Sequence, residues 1–218
     1  MNDPFFFGFA LSIFSLVLLL INAVLFLSKF KNYNRVYKVV GIYLAILFFV
    51  ELFCNLIGYF KPGQNSFLSH FYFNSQFLLL SAFFYQLFNN GNLKKIVLLG
   101  YVIITGLIIT GYLIDFNSFW EFNLFEIVST SSALVLYVLI HLFNTLNKEK
   151  KYFFLCIGLI LYLICSSLIF MSGNYQLVFI EDPYIDIWIF NTLFYILYQV
   201  LIFKEWLYIR KTNLHGRR

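Results

Sequence analysis

Two glutamates sit inside long apolar runs, Glu51 within 37–60 and Glu126 within 122–145. A carboxyl group there can accept hydrogen bonds, balance a cation or move a proton. Strongly charged side chains cost about 2.5–3.5 kcal/mol at the centre of a membrane helix on insertion scales, so each is a functional candidate by default. Asn55 follows Glu51 by one helical turn and shares its face, and Ser129 and Thr130 stand in the same relation to Glu126. Further along, His70 and Asn74 share a face, with Gln76 slightly deeper, and Asn191 lies two turns into the last apolar run. The spacing predicts a polar cavity near one membrane surface, built from Glu51, Asn55, Asn74, Gln76, Glu126 and Asn191.

A second reading competes for the amides. Asn, Gln and His often bond neighbouring membrane helices, for about 0.6 kcal/mol each. Asn55, Asn74 and Asn191 fit that role as well as ligand binding, and His70, near a span end, fits solvation at the interface. Glu51 and Glu126 favour function, because a neutral amide would join helices at lower cost.

The elements that must position these residues follow from composition. Of 218 residues, 61% are hydrophobic and 11% charged, with mean hydropathy +0.83. Soluble domains carry about 45–50% apolar and about 25% charged residues. A soluble enzyme and a disordered chain are both excluded on that ground. The expected architecture is an all-α integral membrane protein, a single heptahelical domain over residues 1–218. Its spans are 5–28, 37–60, 67–88, 95–115, 122–145, 152–173 and 185–208. Each is long enough to cross, since about 20 apolar residues suffice. The first is too long for a signal-peptide core and has no preceding Lys or Arg, so it reads as a retained helix. This length leaves no room for a separate output or catalytic domain.

Basic residues set the orientation. Lys29, Lys31, Arg35, Lys38, Lys94, Lys95, Lys148, Lys150, Lys151, Lys204, Arg210, Lys211, Arg217 and Arg218 all fall on one side of this topology. Only Lys61, of the fifteen, falls on the other. Cytoplasmic loops retain Lys and Arg, so the N-terminus is expected outside and the C-terminus inside. The net charge of +5 has the same origin and does not point to nucleic acid. The prolines, Pro4, Pro62 and Pro183, lie at span ends, so no span is interrupted. Gly41, Gly100, Gly106, Gly111 and Gly158 are candidate close-packing points between helices.

At one constant offset Ser12 aligns with Ser129, Lys31 with Lys148, Gly41 with Gly158, Phe53 with Phe170 and Asn74 with Asn191. This hints at a 3+1+3 organisation of parallel three-helix repeats, a known transporter plan.

Other chemistries lack their residues. Cys54, Cys156 and Cys165 lie in apolar runs with no CxxC pair and read as small hydrophobes. The three histidines have no zinc-site spacing, and no GxSxG elbow, P-loop or dinucleotide fingerprint occurs. No cofactor or metal is expected, and the balance leans away from an enzyme. Lys204 lies too near the end of its span to carry a retinal Schiff base.

Four stretches resemble a group of small, uncharacterised heptahelical bacterial membrane proteins. They are Gln76-Phe77-Leu78-Leu79-Leu80-Ser81, the surroundings of Glu126, Gly158-Leu159-Ile160-Leu161-Tyr162, and Trp188 through Tyr195. The resemblance implies a seven-helix fold and no established activity; the expected location is a bacterial inner membrane. In that group the position of Gln76 is typically Glu and that of Asn191 typically His, so any proton or cation handling there would be altered in this chain.

Together these features lead to an expected function. The chain reads as a membrane binding or sensing protein whose outward cavity takes an apolar or amphipathic ligand and whose basic cytoplasmic face engages a partner protein. A small-solute transporter and an accessory subunit of a larger membrane complex are the alternatives.

Overall fold

The computed structural model describes residues 4–28, 33–61, 65–146, 151–174 and 187–215. These form seven α-helices: α1 (Pro4–Ser28), α2 (Arg35–Phe60), α3 (Leu68–Leu87), α4 (Gly91–Ile114), α5 (Leu124–Thr145), α6 (Phe153–Asn174) and α7 (Ile187–His215). One 3₁₀ turn, Phe116–Trp120, bridges α4 and α5. Lys29, Lys31, Pro62, Gly63, Lys148, Lys150, Glu181, Asp182, Pro183, Asp186, Arg217 and Arg218 lie outside the described residues.

Six helices are long and apolar enough to cross a membrane; α3 is the exception. The physical reason is its position. α3 buries half of its 20 residues, including His70, Gln76 and Ser81, against other helices. A helix surrounded by protein can carry polar groups that a lipid-facing helix cannot. α4 is the opposite case: it buries only Val97 and Ile108 and exposes Leu98, Leu99, Val102, Ile103, Leu107, Ile109 and Leu113. Continuous apolar surface of this kind belongs against lipid.

Consecutive helices run in opposite directions and α1 and α7 run parallel, as side-chain contacts record. Ser12, early in α1, meets Asn55, late in α2, at 2.6 Å. Trp206, late in α7, donates from Nε1 to the Leu25 carbonyl, late in α1, at 3.2 Å. We call the end where α1, α3, α5 and α7 begin the top. α1 packs on α2 and α7, α2 on α3, α3 on α5, α5 on α6 and α6 on α7, so six helices close a ring. α4 lies against α3 and α5. The core is mostly aromatic and Leu, with Phe26, Tyr37, Tyr43, Phe83, Phe84 and Tyr198 at its centre.

Asn34 and Asn90 start α2 and α4 by accepting from the backbone N–H of Tyr37 and Asn92. α6 is started by another helix. The fully buried Glu205 carboxyl, on α7, accepts from the backbone N–H groups of Tyr152 at 2.9 Å, Phe154 at 2.8 Å and Leu155 at 3.4 Å. The first amides of a helix lack internal partners and favour negative charge, so the arrangement satisfies both sides. α7 runs beyond the expected span end at 208, to His215.

Of the five glycines expected at close contacts, Gly41, Gly100 and Gly158 approach a neighbour, while Gly106 and Gly111 face open space. A Cβ on Gly158 would sit 2.9 Å from Tyr198 Cδ2 and 3.0 Å from Leu201 Cβ, fixing how closely α6 and α7 pack. Gly158→Ala is therefore expected to destabilise the bundle by about 1–3 kcal/mol through overpacking. Gly106→Ala, with nothing within 4 Å, should be neutral or stabilise by about 0.5–1 kcal/mol. Denaturant titration in mixed micelles reads both.

Candidate functional site

The six candidate residues divide among three places near the top and middle of the bundle. Glu126 stands in the first turn of α5, whose cap residue Asn123 accepts from the Glu126 backbone N–H. Its carboxyl, fully buried, turns toward α3 and α4. Asn74 donates from Nδ2 to Oε1 at 2.6 Å, and His70 Nδ1 lies 2.6 Å from Oε2. The Tyr112 hydroxyl donates to the same Oε2 and lies 2.8 Å from His70 Nδ1, while Asn123 Nδ2 donates to Tyr112 at 3.4 Å. Three side chains thus converge on the two carboxyl oxygens of Glu126. Phe119, from the 3₁₀ turn, stacks on the His70 ring at 5.0 Å. The cluster joins three helices; Glu126 and His70 are buried in it, and Asn74, Tyr112 and Asn123 are half-buried.

This revises two expectations. His70 is 3% exposed and so is not an interfacial residue solvated by water. Glu126 does not share a cavity with Glu51; it and Asn74 are spent on each other. Ser129 and Thr130 donate to the Glu126 backbone carbonyl and leave its carboxyl alone.

Glu51, Asn55 and Asn191 do come together. They line a cavity of about 700 Å³ between α1, α2 and α7, with Ser12, Asn65 and Thr192 also in its wall. A helix rises about 1.5 Å per residue, which puts Glu51 about 14 Å below the upper end of α2 at Phe60. Asn55 is held in place, donating from Nδ2 to the Glu51 backbone carbonyl at 2.9 Å and accepting from Ser12. Phe9, Tyr59 and Trp188 also line the cavity. A smaller chamber of about 140 Å³ adjoins it, shares Glu51, Cys54, Asn65 and Asn191, and is walled by Tyr72, Phe73, Tyr162 and Phe170. Cys54 is therefore a cavity residue, whereas Cys156 is fully buried.

Gln76 belongs to neither place. It is 1% exposed and donates from Nε2 to the Tyr43 hydroxyl at 3.2 Å. Tyr43 bonds Tyr198 at 3.1 Å, and Tyr72 bonds Tyr162 at 3.0 Å. These buried hydroxyls form a floor beneath the cavity, drawn from α2, α3, α6 and α7. Asn22 joins α1 to Gln199 of α7 at 2.9 Å further down.

Sequence reasoning missed Tyr112, Asn123, Glu205 and the tyrosine floor. Glu205 did carry a signal: an acid in the last turns of the segment ending at 208 opposes that helix's own dipole, so it calls for an outside partner. Tyr112 and the floor tyrosines carried none, because tyrosine at helical spacing reads as packing.

Removing Glu126 leaves His70, Asn74 and Tyr112 without their shared partner. Glu126→Ala is expected to cost about 1–3 kcal/mol. A double-mutant cycle with His70→Ala should give a coupling of about 0.5–3 kcal/mol, and a coupling near zero would remove the cluster as a structural joint. Comparison of the chain with protein-family models, with curated proteins and with solved structures found no match.

Proposed function

We propose that this chain is a seven-span membrane protein that binds a small amphipathic ligand in the Glu51 cavity and reports its occupancy to a partner protein at the opposite face. The observation that carries the reading is the cavity itself: about 700 Å³ of space, within the range of about 300–1,000 Å³ typical of ligand pockets, with a carboxyl and amides in its wall beside Phe9, Tyr59 and Trp188. α3 supplies the seventh crossing, its polar residues turned onto neighbouring helices. Arg35, Lys38, Lys94, Lys95, Lys151, Lys204, Arg210 and Lys211 belong to the bottom halves of their helices or the turn before α6, and Lys61 alone among the described basic residues belongs to the top. That distribution favours an outward top and a cytoplasmic bottom, which suits a protein of a bacterial inner membrane. α7 runs from the cavity wall at Asn191 to Arg210 and Lys211 at the basic end, so one rigid element links ligand and partner.

One observation favours a second reading, a transporter of 3+1+3 plan. In the ring order α1–α2–α3–α5–α6–α7, the α3–α5 and α7–α1 contacts occupy corresponding places, with α4 left outside. Two parallel three-helix repeats would pack in this way. Uptake of solute into proteoliposomes favours this reading over sensing.

Cys54 tests the cavity directly. In a Cys165→Ser background, a membrane-impermeant methanethiosulfonate reagent is expected to modify Cys54 from the side of the N-terminus and to spare Cys156. No modification from either side would overturn the reading. A stoichiometric protein that co-purifies with wild type and is lost with Lys94→Glu and Lys95→Glu supports the signalling half.

A further inference from the structure

The three described carboxyls inside the bundle differ in one respect. Glu126 meets three side-chain donors and Glu205 three backbone amides. The Glu51 carboxyl meets no hydrogen-bond donor and no Lys, Arg or His partner among the described residues. A carboxylate partly withdrawn from water without a counter-ion is destabilised, and the cost is met by neutralisation or by a charge from outside. Glu51 is half-buried and faces the cavity, which has room for the second solution.

Its walls select the kind of cation. The inner chamber places Glu51 among Tyr72, Phe73, Tyr162 and Phe170, and aromatic faces attract cations through their negative quadrupole. The acceptor Asn191 Oδ1 is buried without a partner among the described residues, whereas Asn55 Oδ1 is already engaged by Ser12. Two free acceptor groups are too few for a bare calcium or magnesium ion, which takes about six or more oxygens. They suit an organic ammonium group, whose remaining surface is covered by rings. A neutral head would leave the carboxylate uncompensated, and an anionic head would be repelled. The larger, outer part of the cavity, flanked by Phe9, Tyr59 and Trp188, accommodates the apolar remainder.

We infer that the Glu51 cavity is a binding site for organic cations of the alkylammonium class, with Glu51 as counter-ion and Tyr72, Phe73 and Tyr162 as its aromatic wall. The inference rests on the ligand-binding reading and names the class of ligand.

The test uses the full chain in lipid nanodiscs with labelled choline as the probe and dimethylbutanol, its neutral carbon isostere, as competitor. Saturable choline binding is expected, with little displacement by the alcohol. Glu51→Gln should weaken binding by about tenfold or more, because the quaternary ammonium of choline then loses its counter-ion. Asn191→Asp, which adds negative charge beside the same site, should tighten it, a gain that misfolding cannot mimic. Equal competition by the alcohol, unchanged binding in Glu51→Gln, or weaker binding in a folded Asn191→Asp would each overturn the cation assignment. So would absence of saturable choline binding. In each of those cases the cavity reading stands if Cys54 is still reached by reagent. If Cys54 is not reached, both fall.

Discussion

A carboxyl group that leaves water for the interior of a helix bundle has to find its partners there, because lipid offers none. This constraint organises the structure at three levels. At the top, Glu126 is answered by His70, Asn74 and Tyr112, which holds α3, α4 and α5 together. At the bottom, Glu205 is answered by the first amides of α6, which ties the start of that helix to α7. Between them Glu51 is left facing space. The first two are closed by their own partners, and the third is where a ligand has something to supply.

The ring of six helices explains why the space exists. α1 and α2 meet near the top through Ser12 and Asn55, and α1 and α7 meet lower down through Asn22, Gln199 and Trp206. α6 and α7 are brought close by Gly158. The cavity lies between the upper parts of α1, α2 and α7, above a tightly packed tyrosine floor. Polar groups that would be orphaned in that floor bond one another, Tyr43 with Tyr198 and Gln76, Tyr72 with Tyr162. α4 contributes little to the interior and much to the lipid-facing surface, which leaves the cavity to the other helices.

The candidate residues were legible in part. Glu51, Asn55 and Asn191 were found by their polarity in apolar runs, and the structure places them in one cavity. Glu126 and Asn74 were found by the same rule, but they bond each other and His70. Polarity against an apolar background marks a residue as needing a partner. It does not say whether the partner is a side chain, a backbone amide or a ligand. Gln76 shows the same ambiguity, since its amide is satisfied by Tyr43.

Helix count and approximate bounds came from the sequence alone, because about 20 apolar residues are needed wherever a helix meets hydrocarbon and this is a one-dimensional property. The placement of charge along the chain likewise belonged to the sequence, since insertion reads Lys and Arg segment by segment. Tertiary structure decided the rest. Rotation of each helix about its axis chose which polar face met which neighbour, so that His70 found Glu126 while Glu51 found none. That choice depends on close packing between segments far apart in the chain, with Gly158 against Tyr198 and Glu205 against the start of α6 as instances. No local pattern encodes such contacts, because both partners are needed before either is satisfied.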